Sequence, residues 1–252
     1  MNSTFKDQVV LITGSSSGIG EGAALYFAQC GAKIVLASRN EQANNRLLEK
    51  INECDTEGIC IPTDVSSAYQ VERMVQQAVD RFGTIDIAIN SAGIEGTPLD
   101  KTADYSESVW DEVMNVNLKG VWLCMKYQIP VMLKNNGGVI VNISSLAGLK
   151  GGDAGVAYHA SKFGVVGATK AAAVEYAADK IRINAICPAV IQTPMADRAF
   201  TDPKRRASAE KMHPVGRFGK VSEVVGTIAW LASKDSEFIT GTAIPVDGGA
   251  SC

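Results

Sequence analysis

The chain has 252 residues, of which 46% are hydrophobic and 20% charged, and a net charge of −3. That length can bury one large core. Its interspersed charges exclude the basic face that nucleic acid or an anionic membrane surface would require, so neither is expected as a partner. The longest basic run, Lys204-Arg205-Arg206, lies among Asp202, Glu210 and other polar residues and reads as a solvated face. No basic leader runs into a long apolar stretch, so neither a secretion signal nor a membrane helix is expected. Six cysteines (Cys30, Cys54, Cys60, Cys124, Cys187, Cys252) and two histidines (His159, His213) show no Cys-x-x-Cys or His-x-x-x-His spacing. A cytoplasmic protein with reduced thiols and no metal site is the resulting expectation.

In chain order, the β-branched run 9–12 reads as a buried strand and leads directly into Thr13-Gly14-Ser15-Ser16-Ser17-Gly18-Ile19-Gly20. A helical pattern carrying Ala23, Ala24, Phe27 and Ala28 follows. Strand, glycine-rich turn and helix together present free backbone N–H groups and a positive helix end to a pyrophosphate. The spacing is not Gly-x-Gly-x-x-Gly, and that fingerprint is absent. A second strand is expected at 33–37, then a polar helix with Leu47, Leu48 and Ile51 on one side, then a third strand at 58–62. The next helix repeats apolar residues at Val71, Val75, Val79 and Phe82. Strands at 85–89 and 139–143 flank a long helical stretch with Val109, Val113, Val116, Val121 and Met125. A helix over about 157–178, a strand at 181–186, a helix over about 222–231 and a strand at 243–246 complete the chain. Uniformly apolar strands separated by helices imply a parallel sheet covered on both faces. With no linker and no repeat, the fold class is α/β, one doubly wound domain over 1–252.

In such sheets ligands bind outside the carboxyl ends of the strands. Those ends carry the glycine turn, Ser38-Arg39-Asn40, Asp64-Val65, Asn90-Ser91-Ala92-Gly93, Ser144-Ser145 and Pro188-Ala189-Val190-Ile191-Gln192-Thr193. Six such loops on one edge argue for a site. Tyr158 and Lys162, four apart in an expected helix, share one face. A cation beside a phenol is expected to lower its pKa and favour proton exchange with a carbonyl or alcohol oxygen.

These motifs together resemble the short-chain dehydrogenase/reductase family, in its single-domain branch of about this length, across essentially the whole chain. The resemblance rests on Thr13 to Gly20, Asn90 to Gly93, Ser145, Tyr158 to Lys162, and the closing Val246-Asp247-Gly248-Gly249. It implies a Rossmann-type fold and NAD(P)-dependent interconversion of carbonyl and alcohol. It assigns Tyr158 as general acid, Ser145 as a second donor to the same oxygen, and Lys162 to the nicotinamide ribose and the Tyr158 pKa. Asn117 would help hold a water in a proton relay. Ser144 is read as satisfying backbone groups. His159, a helical neighbour of Tyr158, points about 100° away and is not expected to act as the acid.

The implied cofactor residues are Gly14, Ser16, Ser17, Gly18, Ile19 and Gly20 at the phosphates, and Asp64, Val65 and Asn90 on the adenosine side. Ala92, Gly93, Tyr158, Lys162 and Pro188 line the same cleft, and Ile191 and Thr193 meet the nicotinamide carboxamide. A small Ser38 followed by Arg39, where NAD-preferring proteins carry a carboxylate, implies NADP(H) preference, with NAD(H) as the other dinucleotide. The chain departs from the family at Ala189, where glycine is usual.

The segment 192–218 reads as a substrate lid with few anchors. The expected reaction is reduction of a ketone or aldehyde. The alternatives are reduction of a 3-oxoacyl thioester on acyl-carrier protein, or a non-catalytic dinucleotide sensor. Extended-branch epimerases need a further substrate domain for which no length remains. A homotetramer through 111–128 and 164–176 is implied by resemblance.

Overall fold

The computed structural model describes residues 4–252. Seven parallel strands form one sheet in the order β3-β2-β1-β4-β5-β6-β7. They are β1 (Val9–Thr13), β2 (Lys33–Ser38), β3 (Gly58–Pro62), β4 (Ile87–Asn90), β5 (Gly138–Ile143), β6 (Ile181–Pro188) and β7 (Ala243–Val246). The strand order reverses between β1 and β4, which opens a crevice at their carboxyl ends.

Alternation along each strand feeds two cores. Val10, Ile12, Ile34 and Leu36 face α1 (Gly18–Gln29), α2 (Glu41–Asn52) and the last helix, α9 (Val221–Ala232). Val9, Leu11, Val35 and Ala37 face α3 (Ala68–Phe82), α5 (Gly120–Lys134) and α6 (Val156–Tyr176). Phe27 of α1 is fully buried, with its ring centroid 4.7 Å from that of Phe5. Burying a side chain of this size contributes roughly 1.5–3 kcal/mol. The fold is a doubly wound α/β domain, as its alternating apolar runs require.

Some boundaries moved for local reasons. Asp86 uses its carboxylate to accept from the backbone N–H of Val9 at 2.8 Å, and β4 begins one residue later. The long helical stretch is α4 (Glu107–Met114) and α5 joined by a π-helical turn, Asn115–Lys119. Such turns free carbonyls from the regular ladder and are frequent at functional sites. The segment 192–218 folds as α7 (Pro194–Ala199) and α8 (Pro203–Lys211), each opened by proline and capped by Thr193 or Asp202. It is better anchored than its polarity implied, because Ala209, His213 and Phe218 are buried beneath it. No helix among the described residues is long and apolar enough to cross a membrane.

Candidate active site

The floor of the crevice is backbone packed on backbone. Gly14 has φ +66°, and a Cβ there would lie 2.8 Å from Ala92 Cα. A Cβ on Gly20 would sit 2.3 Å from the Gly14 carbonyl oxygen. Only glycine fits either place, which leaves a cradle for phosphate oxygens. Ser16, Ser17, Gly18 and Ile19 line the cavity at the start of α1, where no side chain caps the helix. Its first N–H groups and positive end are thereby left for an anion. Ser15 turns away, donating to Asn44 Oδ1 at 2.9 Å. Thr13 Oγ1 accepts from Ser91 N (3.2 Å) and Ala92 N (3.3 Å), tying the loop after β4 to β1.

Ser38, Arg39, Asp64 and Val65 line the far end of the cavity. Ser38 Oγ accepts from Asn40 N at 3.2 Å. Arg39 is exposed and has no hydrogen-bond or ion-pair partner among the described residues. Asp64 Oδ1 accepts from the N–H (2.9 Å) and hydroxyl (2.8 Å) of Ser66.

The Asn90 side chain turns into the sheet. Its amide donates to Gln128 Oε1 (3.2 Å) and Asn142 Oδ1 (2.9 Å), and its carbonyl oxygen accepts from Gln128 Nε2 (2.9 Å). The side chain is 1% exposed and braces the sheet instead of reaching the cleft. A buried amide must satisfy its donors and acceptor, and neighbours on α5 and β5 do so.

The chemistry-bearing residues converge at the middle of the cleft. Tyr158 and Lys162 stand one turn apart on α6. Lys162 is 4% exposed, its Nζ donating to the Ile143 carbonyl at 2.9 Å and lying 5.6 Å from the Tyr158 ring centroid. Ser145, just beyond β5, lines the cavity with Tyr158 and acts to lower its pKa. Ser144 donates to the Lys162 carbonyl at 2.9 Å. Asn117 lies in the π-helical turn, where its side chain accepts from Ile94 N (2.8 Å) and donates to Ile94 O (2.9 Å) and Ser161 Oγ (3.2 Å). A Cβ on Gly93 would be 3.3 Å from Asn117 Oδ1 and 3.6 Å from Lys162 Nζ, so the three residues meet closely. His159 bonds through Nδ1 to the Ala147 carbonyl at 3.0 Å.

The electrostatics correct the reading of Tyr158. Its pKa is raised, first by burial and then by the Glu95 carboxylate, against a lowering hydrogen bond from Ser145. Burial also lowers Lys162 to about 8, with Cys187 opposing. Desolvation disfavours the charged form of both groups, and the ammonium is turned to a carbonyl instead of the phenol. Spacing alone places a cation beside the phenol, and burial, which spacing does not report, reverses the expected direction. The cavity that holds these groups is about 1050 Å³.

The family profile described as Enoyl-(Acyl carrier protein) reductase matches residues 14–251. A 3-oxoacyl-(acyl-carrier-protein) reductase of Thermotoga maritima is 38% identical over 96% of this chain and 97% of its own. Cyclohexanol dehydrogenase of an Acinetobacter species is 38% identical over 98% of this chain and 96% of its own. The crystal structure of levodione reductase superposes with a TM-score of 0.94 at 37% identity, covering 98% of each chain. The chain belongs to the short-chain dehydrogenase/reductase family.

The family's cofactor is an NAD(P) dinucleotide, and the glycine cradle, where any Cβ would intrude, fits one. On the nicotinamide side, the family's usual glycine is Ala189. Ala189 does not lie at positive φ, so its methyl group imposes no backbone strain and the departure is accommodated. Its N–H donates to Val246 O at 3.2 Å. Pro188 ends β6, and Ile191 is 6% exposed and bridged to Gly219. Thr193 donates to Ile191 O at 3.1 Å, and its Cγ2 lies 3.1 Å from where a Gly18 Cβ would be, across the cleft.

Two features here were not read from the sequence. His213 accepts from Val190 N at 3.4 Å and donates from Nδ1 to Ala209 O at 3.0 Å, clamping the nicotinamide-side segment to the end of α8. Arg198 of α7 pairs with Glu95 across the cleft. His213 and Val190 lie 23 residues apart and Glu95 and Arg198 lie 103 apart, so no local pattern marks either pair.

Proposed function

We propose that this family member reduces a ketone or aldehyde to an alcohol, reversibly, with NADPH preferred over NADH. The observation that carries the reading is the convergence of Ser145, Tyr158 and Lys162 beside a cradle that only glycine can form. The bound nicotinamide supplies or accepts the hydride. Tyr158, protonated at neutral pH, donates to the substrate oxygen, and the Ser145 hydroxyl holds the same oxygen. Two placed O–H donors stabilise the charge that develops there. Lys162 serves the nicotinamide ribose, and Asn117 keeps the loop at Ile94 in register for the proton relay. Gly14, Ser16, Ser17, Gly18, Ile19 and Gly20 bind the pyrophosphate. Asp64 and Val65 take the adenine, and Ile191 and Thr193 take the carboxamide. The segment 192–218 acts as the lid over the substrate.

The NADPH preference rests on Ser38 and the unpartnered Arg39. A charge-assisted hydrogen bond to the 2′-phosphate contributes roughly 1.5–3 kcal/mol, or about ten- to hundredfold in affinity. Arg39→Ala should raise the KM for NADPH by that factor and leave NADH use unchanged. Cofactor oxidation measured with each dinucleotide against ketones, aldehydes and ketoesters tests both the activity and the preference. Equal or better use of NADH by the wild type, untouched by Arg39→Ala, would refute the preference.

The relative named as a 3-oxoacyl-(acyl-carrier-protein) reductase supports a second reading, in which the carbonyl belongs to an acyl thioester. Activity on an acyl thioester far above that on free ketones would favour it. A homotetramer is proposed from the helices α4 to α6, where Trp122 (48% exposed) and Phe163 (47% exposed) offer apolar surface. A monomeric mass in light scattering at micromolar concentration would sink it. A cytoplasmic setting is proposed from six cysteines that are all free.

A further inference from the structure

Glu95 lies on the loop after β4, and Arg198 lies on α7 of the lid segment. The carboxylate accepts from Arg198 Nε at 2.8 Å and Nη2 at 3.3 Å, a two-point contact that joins the walls of the substrate half of the cleft. Glu95 and Arg198 line the same cavity as Tyr158. Glu95 is the inner partner, its side chain 30% exposed against 60% for Arg198. Its charge is felt at the Tyr158 hydroxyl. The other cations of this half are engaged elsewhere. Lys150 donates to the Ala250 carbonyl, and Arg205 sits over the Phe200 ring at 5.5 Å. Lys162, the cation beside Tyr158, donates to the Ile143 carbonyl, and Arg198, the arginine on this wall that could receive an anion, is occupied by Glu95.

We infer that Glu95 is a specificity-determining residue that restricts the site to uncharged carbonyl compounds, turning away those with a carboxylate beside the carbonyl, and that it does so partly by holding Arg198. This rests on the reading that Tyr158 protonates a substrate carbonyl. Removing the negative charge would end the repulsion and release a guanidinium into the pocket wall, where it can form charge-assisted bonds to a substrate carboxylate.

The test compares a neutral and an anionic substrate with the same ketone, methyl benzoylformate and benzoylformate. Wild type should reduce the ester far better than the acid. Glu95→Gln should raise the acid-to-ester ratio of kcat/KM by about tenfold, the lower end of the range for charged hydrogen bonds because Arg198 is well exposed. Arg198→Gln, which leaves Glu95 uncompensated, should not raise it. The Glu95→Gln effect should shrink as salt rises from low to high. Equal use of acid and ester by the wild type, or a ratio unmoved in Glu95→Gln, would overturn the inference.

If wild type turns over neither substrate although NADPH binds, it is the carbonyl-reductase reading that fails. Benzoylformate binding to the protein–NADPH complex, followed by nicotinamide fluorescence, then decides this inference separately. It should be about tenfold tighter in Glu95→Gln than in wild type, and equal binding would overturn the inference.

Discussion

Tyr158→Phe should lower kcat by about 10²–10⁴-fold, the usual worth of a placed general acid, with little change in the KM for the dinucleotide. The substitution keeps the ring that packs 5.6 Å from Lys162 Nζ and removes only the hydroxyl. Ser145 keeps its own hydroxyl, so the loss reports the Tyr158 hydroxyl alone. The pH profile follows from the raised Tyr158 pKa. Reduction requires the protonated phenol, which persists through neutral pH, so its rate should hold there and fall only as pH climbs through the raised value. Alcohol oxidation requires the phenolate and should rise with pH over the same range. His159→Gln, which breaks only the bond to Ala147, should cost far less. A larger loss at His159 than at Tyr158 would overturn the assignment.

Lys162→Met should abolish most turnover and change stability in a pH-dependent way. Folding brings the Lys162 pKa from 10.5 to about 8, chiefly because burial penalises the ammonium. Below about 8 both states carry the proton, and the folded protein bears the full cost of a buried charge. Between about 8 and 10.5 the unfolded chain holds the proton and the folded chain does not. Stability therefore rises with pH across that window. Relative to Lys162→Met, wild type should gain on the order of 2 kcal/mol between pH 7 and pH 10, at about 1.4 kcal/mol per unit of displacement. Losing the bond to the Ile143 carbonyl adds a pH-independent cost to the variant, roughly 1–3 kcal/mol. Urea denaturation of both proteins at the two pH values separates these effects. A stability difference that does not change with pH would mean that the ammonium is hydrated in the folded protein.

What the sequence by itself determined is whatever depends on neighbours in the chain. The runs at β1 and β3 are apolar and β-branched, and their strands follow from that. The glycines at Gly14 and Gly20 announce a turn with no room for side chains, and Tyr158 and Lys162 share a helix face because four residues make about one turn. Alternation of strand and helix fixes the doubly wound sheet, and with it the edge where the site lies.

Tertiary structure decided everything that joins distant segments. Asn90 is drawn from the cleft by Gln128, 38 residues away, because a buried amide takes the partners that packing supplies. Glu95 meets Arg198 across 103 residues, and His213 reaches Val190 across 23. The Tyr158 pKa belongs to this class as well. Spacing places a cation nearby, but burial sets the direction of the shift. Periodicity records which face of an element is apolar. Desolvation and hydrogen-bond pairing depend on what the rest of the chain brings against that face, and that is settled only when the chain has folded.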